Sequence, residues 1–357
     1  MIKVDKLKTA FLGKNKNRSI CIGIVILAYI IIELMMFTGS LKSIFINLLV
    51  PVTSYIIVAL ALNLVVGVSG ELSLGHAGFM SIGAFTGVVV ANVTATMIPN
   101  DTIRLIIAII IGAIVAAFFG LLISIPVLKL EGDYLAIVTL AFGQIIKSLI
   151  NNTFLGYDSA GFHFSFITND IQLETGGKML INGPIGATAT DRISTFTIGI
   201  ILVIITLFII FNFMNSKYGR NVMATRDDRI AAQSVGIDIV KTKTIAFVIS
   251  AGIAGAAGVL YGLNFSTLVP AKFDFNQSIL ILVYVVLGGL GNMLGTIIST
   301  TVLVLLPELL RFLADYRMLI YAVVLIVIMI VTNNPKITEF LKKFLKRKNI
   351  EGDQNNG

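Results

Sequence analysis

Charge is scarce in this sequence. Asp, Glu, Lys and Arg make up 13% of its 357 residues, where a globular chain carries roughly 25%. So few charged groups could not cover a water-facing surface, whereas a surface facing lipid needs none, and a soluble enzyme is set aside. Cysteine occurs once, at Cys21, which leaves no intrachain disulfide. The two histidines, His76 and His163, stand apart from any cluster of acids, so no metal site is expected. No Gly-x-x-x-x-Gly-Lys-Ser/Thr pattern is present, so ATP is not bound by that route, and work driven by nucleotide needs a partner. No cofactor is called for.

Apolar residues are abundant, at 56% of the chain and a mean hydropathy of +0.94. Against a requirement of about 20 residues per membrane span, candidate passages fall near 20–38, 44–67, 74–93, 103–127, 133–151, 196–214, 244–263, 276–294, 296–313 and 318–332. The expectation is an all-α polytopic membrane protein of about ten passages, with broken or re-entrant helices among them. Six cations precede the first passage, as they would a signal peptide. Its apolar stretch is too long for a signal core, and no small-x-small cleavage site follows, so it reads as a retained anchor.

Eighteen of the 27 Lys and Arg lie in three patches, at 3–18, 217–243 and 336–348. Under the positive-inside rule all three are cytoplasmic, and ten passages permit this, since six separate the first patch from the second and four the second from the third. Both termini are then cytoplasmic. The expected organisation is a basic N-terminus (1–19), a membrane domain (20–332) and a tail (333–357) whose apolar residues from Ile337 to Leu345 fall at helical spacing opposite a cationic face, suited either to the anionic inner leaflet or to anchoring the last span. The formal charge of +8 is thus a topology signal. The patches flank apolar spans without interleaved aromatics, so nucleic acid is not expected as a partner.

Two polar segments face opposite sides in this topology. Residues 152–195 are external and long enough for a function of their own, either docking a partner or serving as an elaborated connection. Residues 215–243 are cytoplasmic and still helix-patterned. Asn221 to Val235 contains neither Gly nor Pro, and Gly236 stands where a C-terminal glycine would stop a helix. Ala231, Ala232 and Val235 would give that helix a small-residue face, fit for a groove in another protein or for a plain linker.

Glycine placement inside the membrane gives a second signal. Between Ala61 and Phe85 the chain holds Gly67, Gly70, Gly75, Gly78 and Gly83 beside Asn63, Glu71, Ser73 and His76. Gly75, Gly78 and Gly83 suit close helix approach. The polar portion from Gly67 to His76 reads as a broken helix, which is tolerated at depth only where protein or water satisfies its backbone. Glu71 either lines such a cavity or sits at the cytoplasmic interface, while His76 reads as a packed, hydrogen-bonded side chain. Thr139 and Gln144, on one span with Asp133 and Tyr134, are candidates to face the interior. A second cluster, Gly288, Gly289 and Gly291, marks a comparable break between the eighth and ninth passages. Glu33 and Lys147 lie toward the outer ends of their spans and snorkel.

Four stretches then carry a specific resemblance: Gly-Glu-Leu-Ser-Leu-Gly-His-Ala-Gly-Phe-Met at 70–80, Gly-Asp-Tyr-Leu-Ala-Ile-Val-Thr-Leu-Ala-Phe-Gly-Gln-Ile at 132–145, the segment from Tyr218-Gly-Arg through Ile-Ala-Ala-Gln-Ser-Val-Gly-Ile237, and Val-Leu-Gly-Gly-Leu-Gly-Asn at 286–292. In this order they resemble the branched-chain amino acid ABC transporter permeases of the M type. The resemblance implies an importer in the cytoplasmic membrane of a prokaryote, in which this chain and a second permease form the pathway. Two cytoplasmic ATPases drive it, and an extracytoplasmic binding protein delivers leucine, isoleucine or valine. It also implies that Arg229, Ile230, Ala231, Ala232 and Gly236 form the ATPase-contacting element. The general importer motif opens with Glu where Ile230 stands, a form this family tolerates. The external loop departs more, with Thr175-Gly-Gly followed by Lys-Met-Leu-Ile before Asn182-Gly-Pro.

Other transport classes are separable. An ion-coupled secondary transporter would carry acids at depth and need no docking helix, and a channel would work without ATP. Within the ABC class the alternative is a relative importing urea, short amides or another amino-acid-like solute. Nothing in the sequence resembles a catalytic dyad or triad, so the chain reads as a transport subunit and not an enzyme.

Overall fold

A computed structural model describes residues 2–310 apart from 131, 159–160, 168–170, 172, 174–176 and 189–190, together with 316, 320, 322–323 and 326. Eleven helices follow one another among the described residues: α1 (Ile2–Phe37), α2 (Ser43–Asn63), α3 (His76–Val93), α4 (Asp101–Val127), α5 (Asp133–Asn151), α6 (Phe196–Asn215), α7 (Lys217–Asp227), α8 (Arg229–Ser234), α9 (Ile239–Gly262), α10 (Phe275–Gly288) and α11 (Met293–Leu309). The chain divides into a unit Met1–Thr300 and a unit Thr301–Gly357. The tenth expected passage, 318–332, and the tail from 333 lie outside the described residues but for a few positions in the passage.

The protein is an all-α polytopic membrane protein. Among the described residues seven helices are long and apolar enough to cross a bilayer, and they coincide with the first seven expected passages. The eighth and ninth correspond to shorter apolar helices of 14 and 17 residues. At 1.5 Å per residue α10 spans about 21 Å, because Gly289, at a φ of 92°, turns the chain as the helix ends.

Side-chain caps start several of these helices by accepting from N–H groups that lack a helical partner. Asn100 caps α4, Thr195 caps α6, Asp238 caps α9 and Asp274 caps α10. Inside the bundle the sequence supplies small residues where helices meet. α9 packs against α2, α3 and α4, and a Cβ at Gly83 would strike the Gly255 backbone, one at Gly258 the Met80 carbonyl and one at Gly120 the Ala251 methyl. Lipid gives no hydrophobic drive for helices to associate, so close van der Waals contact of this kind has to hold them. The pairs Gly83–Gly255 and Gly87–Val259 advance in step, so α3 and α9 run parallel.

Polar segments collect at the two ends of the bundle. At one end, β1 (Thr153–Asp158) pairs antiparallel with β2 (Gly161–Phe166) and with β3 (Lys178–Asn182), a sheet that the helix-oriented sequence reading did not anticipate. β4 (Ala187–Thr188) pairs with β5 (Thr267–Leu268), tying this segment to the connection after α9. Arg104 at the start of α4 reaches both Asp101 and Asp191, at 2.9 and 3.0 Å. The opposite end gathers the chain after α2, the turn before α5, α7 with α8, and the α10–α11 turn. The segments 152–195 and 215–243 therefore lie at opposite ends of the bundle.

Candidate functional site

The α2 helix does not end cleanly. Residues Leu64–Val68 form a π-helical turn in which the Ser69 amide donates to the Leu64 carbonyl. Gly70, at a φ of 74°, then turns the chain back, a left-handed conformation that only glycine adopts at little cost. Residues 71–75 run without helix until α3 begins at His76. Two contacts to α9 fix the depth of this break. Glu71 is ion-paired with Lys243, and Nε2 of His76 lies 2.7 Å from the Ser250 hydroxyl. Seven residues of α9 separate those partners, about 10 Å at helical rise, so α3 starts about that far inside the level of Glu71.

Several polar groups on the break have partners from other elements, as backbone away from water requires. The Leu74 amide donates to the Thr139 hydroxyl at 3.0 Å. Gly75 lies against the Thr139 carbonyl and Gly78 against Gly143, where a Cβ would come within 2.7 and 2.9 Å. The Ser73 hydroxyl is 3.2 Å from Nδ1 of His76, and the Ser250 hydroxyl donates to the Ala61 carbonyl at 2.5 Å. Asn63, fully buried, donates to the Thr296 hydroxyl and accepts from the Gly291 amide, both at 2.8 Å. A Cβ at Gly67 would run into Asn63 and Gly291 together.

Of the residues singled out from sequence, Asn63, Gly67, Gly70, Glu71, Ser73, Gly75, His76, Gly78, Thr139 and Gly291 are thus brought together. Gly288 instead packs on Gly295 and Thr296 across the α10–α11 turn, and Gly289 faces Asn292. Gln144 stays half-buried on α5 outside the network. Glu71 pairs with Lys243 on the second turn of α9, at the end of the charged segment, and the pair retains 13% and 9% side-chain exposure. His76 is the packed, hydrogen-bonded group expected. Glu33 is half-buried and accepts from the Thr197 hydroxyl at 3.4 Å.

The charged segment corrects one expectation. Asn221 to Val235 is not one helix but the end of α7 and all of α8, separated by Asp228 in an extended conformation (φ −152°, ψ 109°). The Asp228 carboxylate accepts from the Ala231 amide at 3.0 Å, and this local alternative to helix is what short acidic side chains offer. At its other end α8 closes as expected on Gly236, at a φ of 82°, with Gly236 donating to the Gln233 carbonyl and Ile237 to that of Ala232. The small-residue face is also divided. Ala232 is buried within this chain, whereas Ile230 and Val235 are 82% and 74% exposed and Ala231 is exposed beside them. The surface offered outward is Ile230, Ala231 and Val235, with Arg229 half-buried at its edge.

Three residues of the site escaped sequence reading. Lys243, Ser250 and Arg226 lie among the cations and small polar residues of α7 and α9, and each meets the break only through the fold. Arg226 donates from one guanidinium nitrogen to the Gly67 carbonyl at 2.9 Å. Its other nitrogens meet Asp227 at 3.1 and 3.0 Å. Among the described residues no group of His, Cys, Asp and Glu could hold a metal ion.

A multi-pass membrane protein with a glycine-lined break tied to a charged segment at one end of its bundle has the form of a transport subunit. The family model described as branched-chain amino acid transport system permease component matches residues 44–332, and the chain belongs to that family. It is 35% identical over 224 residues to the high-affinity branched-chain amino acid transport system permease protein LivM of Salmonella typhimurium, covering 58% of this chain and 52% of that one. With the protein of the same name from Escherichia coli it is 35% identical over 219 residues, at the same coverage. The fructose import permease protein FruG of Bifidobacterium longum is 24% identical over 177 residues, 48% of each chain. The chain spans about half the length of the curated relatives it matches. No solved structure matches it significantly.

Proposed function

We propose that this chain is the membrane-spanning permease subunit of an ATP-driven importer for branched-chain amino acids, set in the cytoplasmic membrane of a prokaryote. The observation that carries the reading is the exposed α8 surface at the same end of the bundle as the α2–α3 break. Ile230 and Val235 expose apolar side chains on a charged segment, which supports a surface for a partner, and the partner is the ATPase. The cation patches support a cytoplasmic position for that end. A second permease completes the pathway and two ATPases supply the energy, while an external binding protein docks near the β1–β3 sheet. The chain itself performs no chemistry on ATP.

The test is reconstitution of the chain with its partner permease, ATPases and binding protein in proteoliposomes. Leucine, isoleucine and valine should each stimulate ATP hydrolysis and accumulate inside. Stimulation by urea, acetamide or fructose with none by the three amino acids would assign a different solute. Uptake without ATP would overturn the class.

A further inference from the structure

We infer that Arg226 is the positioning residue through which displacement of the α7–α8 segment reaches the α2–α3 break, an inference that rests on the function proposed above. The Gly67 carbonyl belongs to the last turn of the helical run that ends at Val68, where carbonyls find no amide in a following turn. Arg226, at the end of α7, supplies a donor to it across 159 positions of sequence. Asp227 meets two of the guanidinium nitrogens from the side and leaves the third aimed at Gly67. The stem of the same side chain fills the space beside Gly70, where a Cβ would come within 2.6 Å of the Arg226 Cγ. One side chain therefore engages both glycines that shape the break, Gly67 by hydrogen bond and Gly70 by packing.

Its neighbours explain why this tie transmits motion. Arg226 and Asp227 occupy the last turn of α7, immediately before the extended Asp228 from which α8 departs. A force applied at Ile230 or Val235 acts on a short helix pivoting at Asp228, and Arg226 is the adjoining residue that reaches the membrane segment. Glu71 and Lys243 form a parallel tie, but Lys243 belongs to α9 and so holds the break to the bundle rather than to the moving segment. A lysine at 226 has no fork with which to hold Asp227 and the carbonyl together.

The experiment compares the complete importer, in proteoliposomes, with its Arg226→Ala, Arg226→Lys and Gly70→Ala variants, measuring leucine accumulated per ATP hydrolysed alongside ATPase co-purification. A structural defect that removes part of the protein lowers both quantities in the ratio and leaves it unchanged. Arg226→Ala should keep co-purification and basal hydrolysis while the ratio falls about tenfold or more, as expected for losing a hydrogen bond from a charged group. Arg226→Lys should fall between. Gly70→Ala, which displaces the stem and also strains its own left-handed backbone, should lower the ratio at least as far. A wild-type ratio in Arg226→Ala, or a loss of ATPase co-purification in step with transport, overturns the assignment. Failure of the unmodified complex to move leucine would instead count against the proposed function.

Discussion

The hydroxyl of Ser250 stands between His76 and the Ala61 carbonyl, 2.7 Å from Nε2 of the imidazole and 2.5 Å from the oxygen. A hydroxyl has one proton, and the carbonyl can only accept. The proton therefore goes to Ala61, Nε2 of His76 carries a hydrogen and donates, and Nδ1 accepts from Ser73. The ring is a fixed strut joining α2, α3 and α9.

A strut can be replaced by a group that donates at the same place. His76→Gln should therefore retain leucine uptake, whereas His76→Leu removes the donor to Ser250 and the acceptor for Ser73 and should lower stability by about 1–3 kcal/mol. Thermal unfolding in detergent and uptake in cells check the pair. Loss of uptake in a stably folded His76→Gln would show that the ring's proton takes part in transport.

Single cysteines at Ile185 and Gln233 in a Cys21→Ser background test the orientation. Both positions are exposed, at opposite ends of the bundle. An impermeant maleimide should label position 185 on intact cells and position 233 only after permeabilisation. The reverse pattern would invert the topology.

The divided face of α8 separates folding from docking. Ile230→Asp changes a residue that touches little of this chain, so it should leave the unfolding temperature unchanged while abolishing ATPase co-purification. Ala232→Asp places a carboxylate in a buried position without a partner, at a cost of several kcal/mol, and should lower the unfolding temperature of the chain by itself. Retention of the ATPase by Ile230→Asp would remove α8 from the docking surface.

Packing at the α3–α9 seam is similarly direct. A side chain at Gly83 meets the Gly255 backbone, which cannot yield, whereas nothing lies within 4 Å of a Cβ at Gly23. Gly83→Val should destabilise the protein by about 1–3 kcal/mol and Gly23→Val should be neutral, by thermal unfolding. Equal effects would mean that α3 and α9 do not meet there.

Much of this could be read from local pattern. The passage expected at 133–151 is α5 to the residue, because the Gly132 turn, the apolar run and its polar ends are all local. The glycines and Asn63 announced the break, since residues so unsuited to lipid need partners. What stayed hidden was which partners. Arg226 and Arg229 are indistinguishable as cations in a basic segment, and only the fold brings one of them to Gly67. Asn221 to Val235, without Gly or Pro, read as a single helix, whereas Asp228 starts a separate six-residue α8. The β1–β3 sheet escaped because its strands sit in a segment read for charge and composition rather than for alternation.

The parallel seam between α3 and α9 also sets the order in which the protein can be made. α3 ends at Val93 and α9 begins at Ile239, so at a synthesis rate of about 5–20 residues per second α3 is complete on the order of 7–29 s before its partner helix begins. It is among the least apolar of the seven spans, and in that interval His76 has no Ser250 to bond. In that interval α3 has α4 and α5 as its packed neighbours, and Gly112 and Gly120 of α4 later receive α9. Ribosome-stalled chains truncated before residue 239 are the species in which α3 should be most exposed to protease and to the insertion machinery.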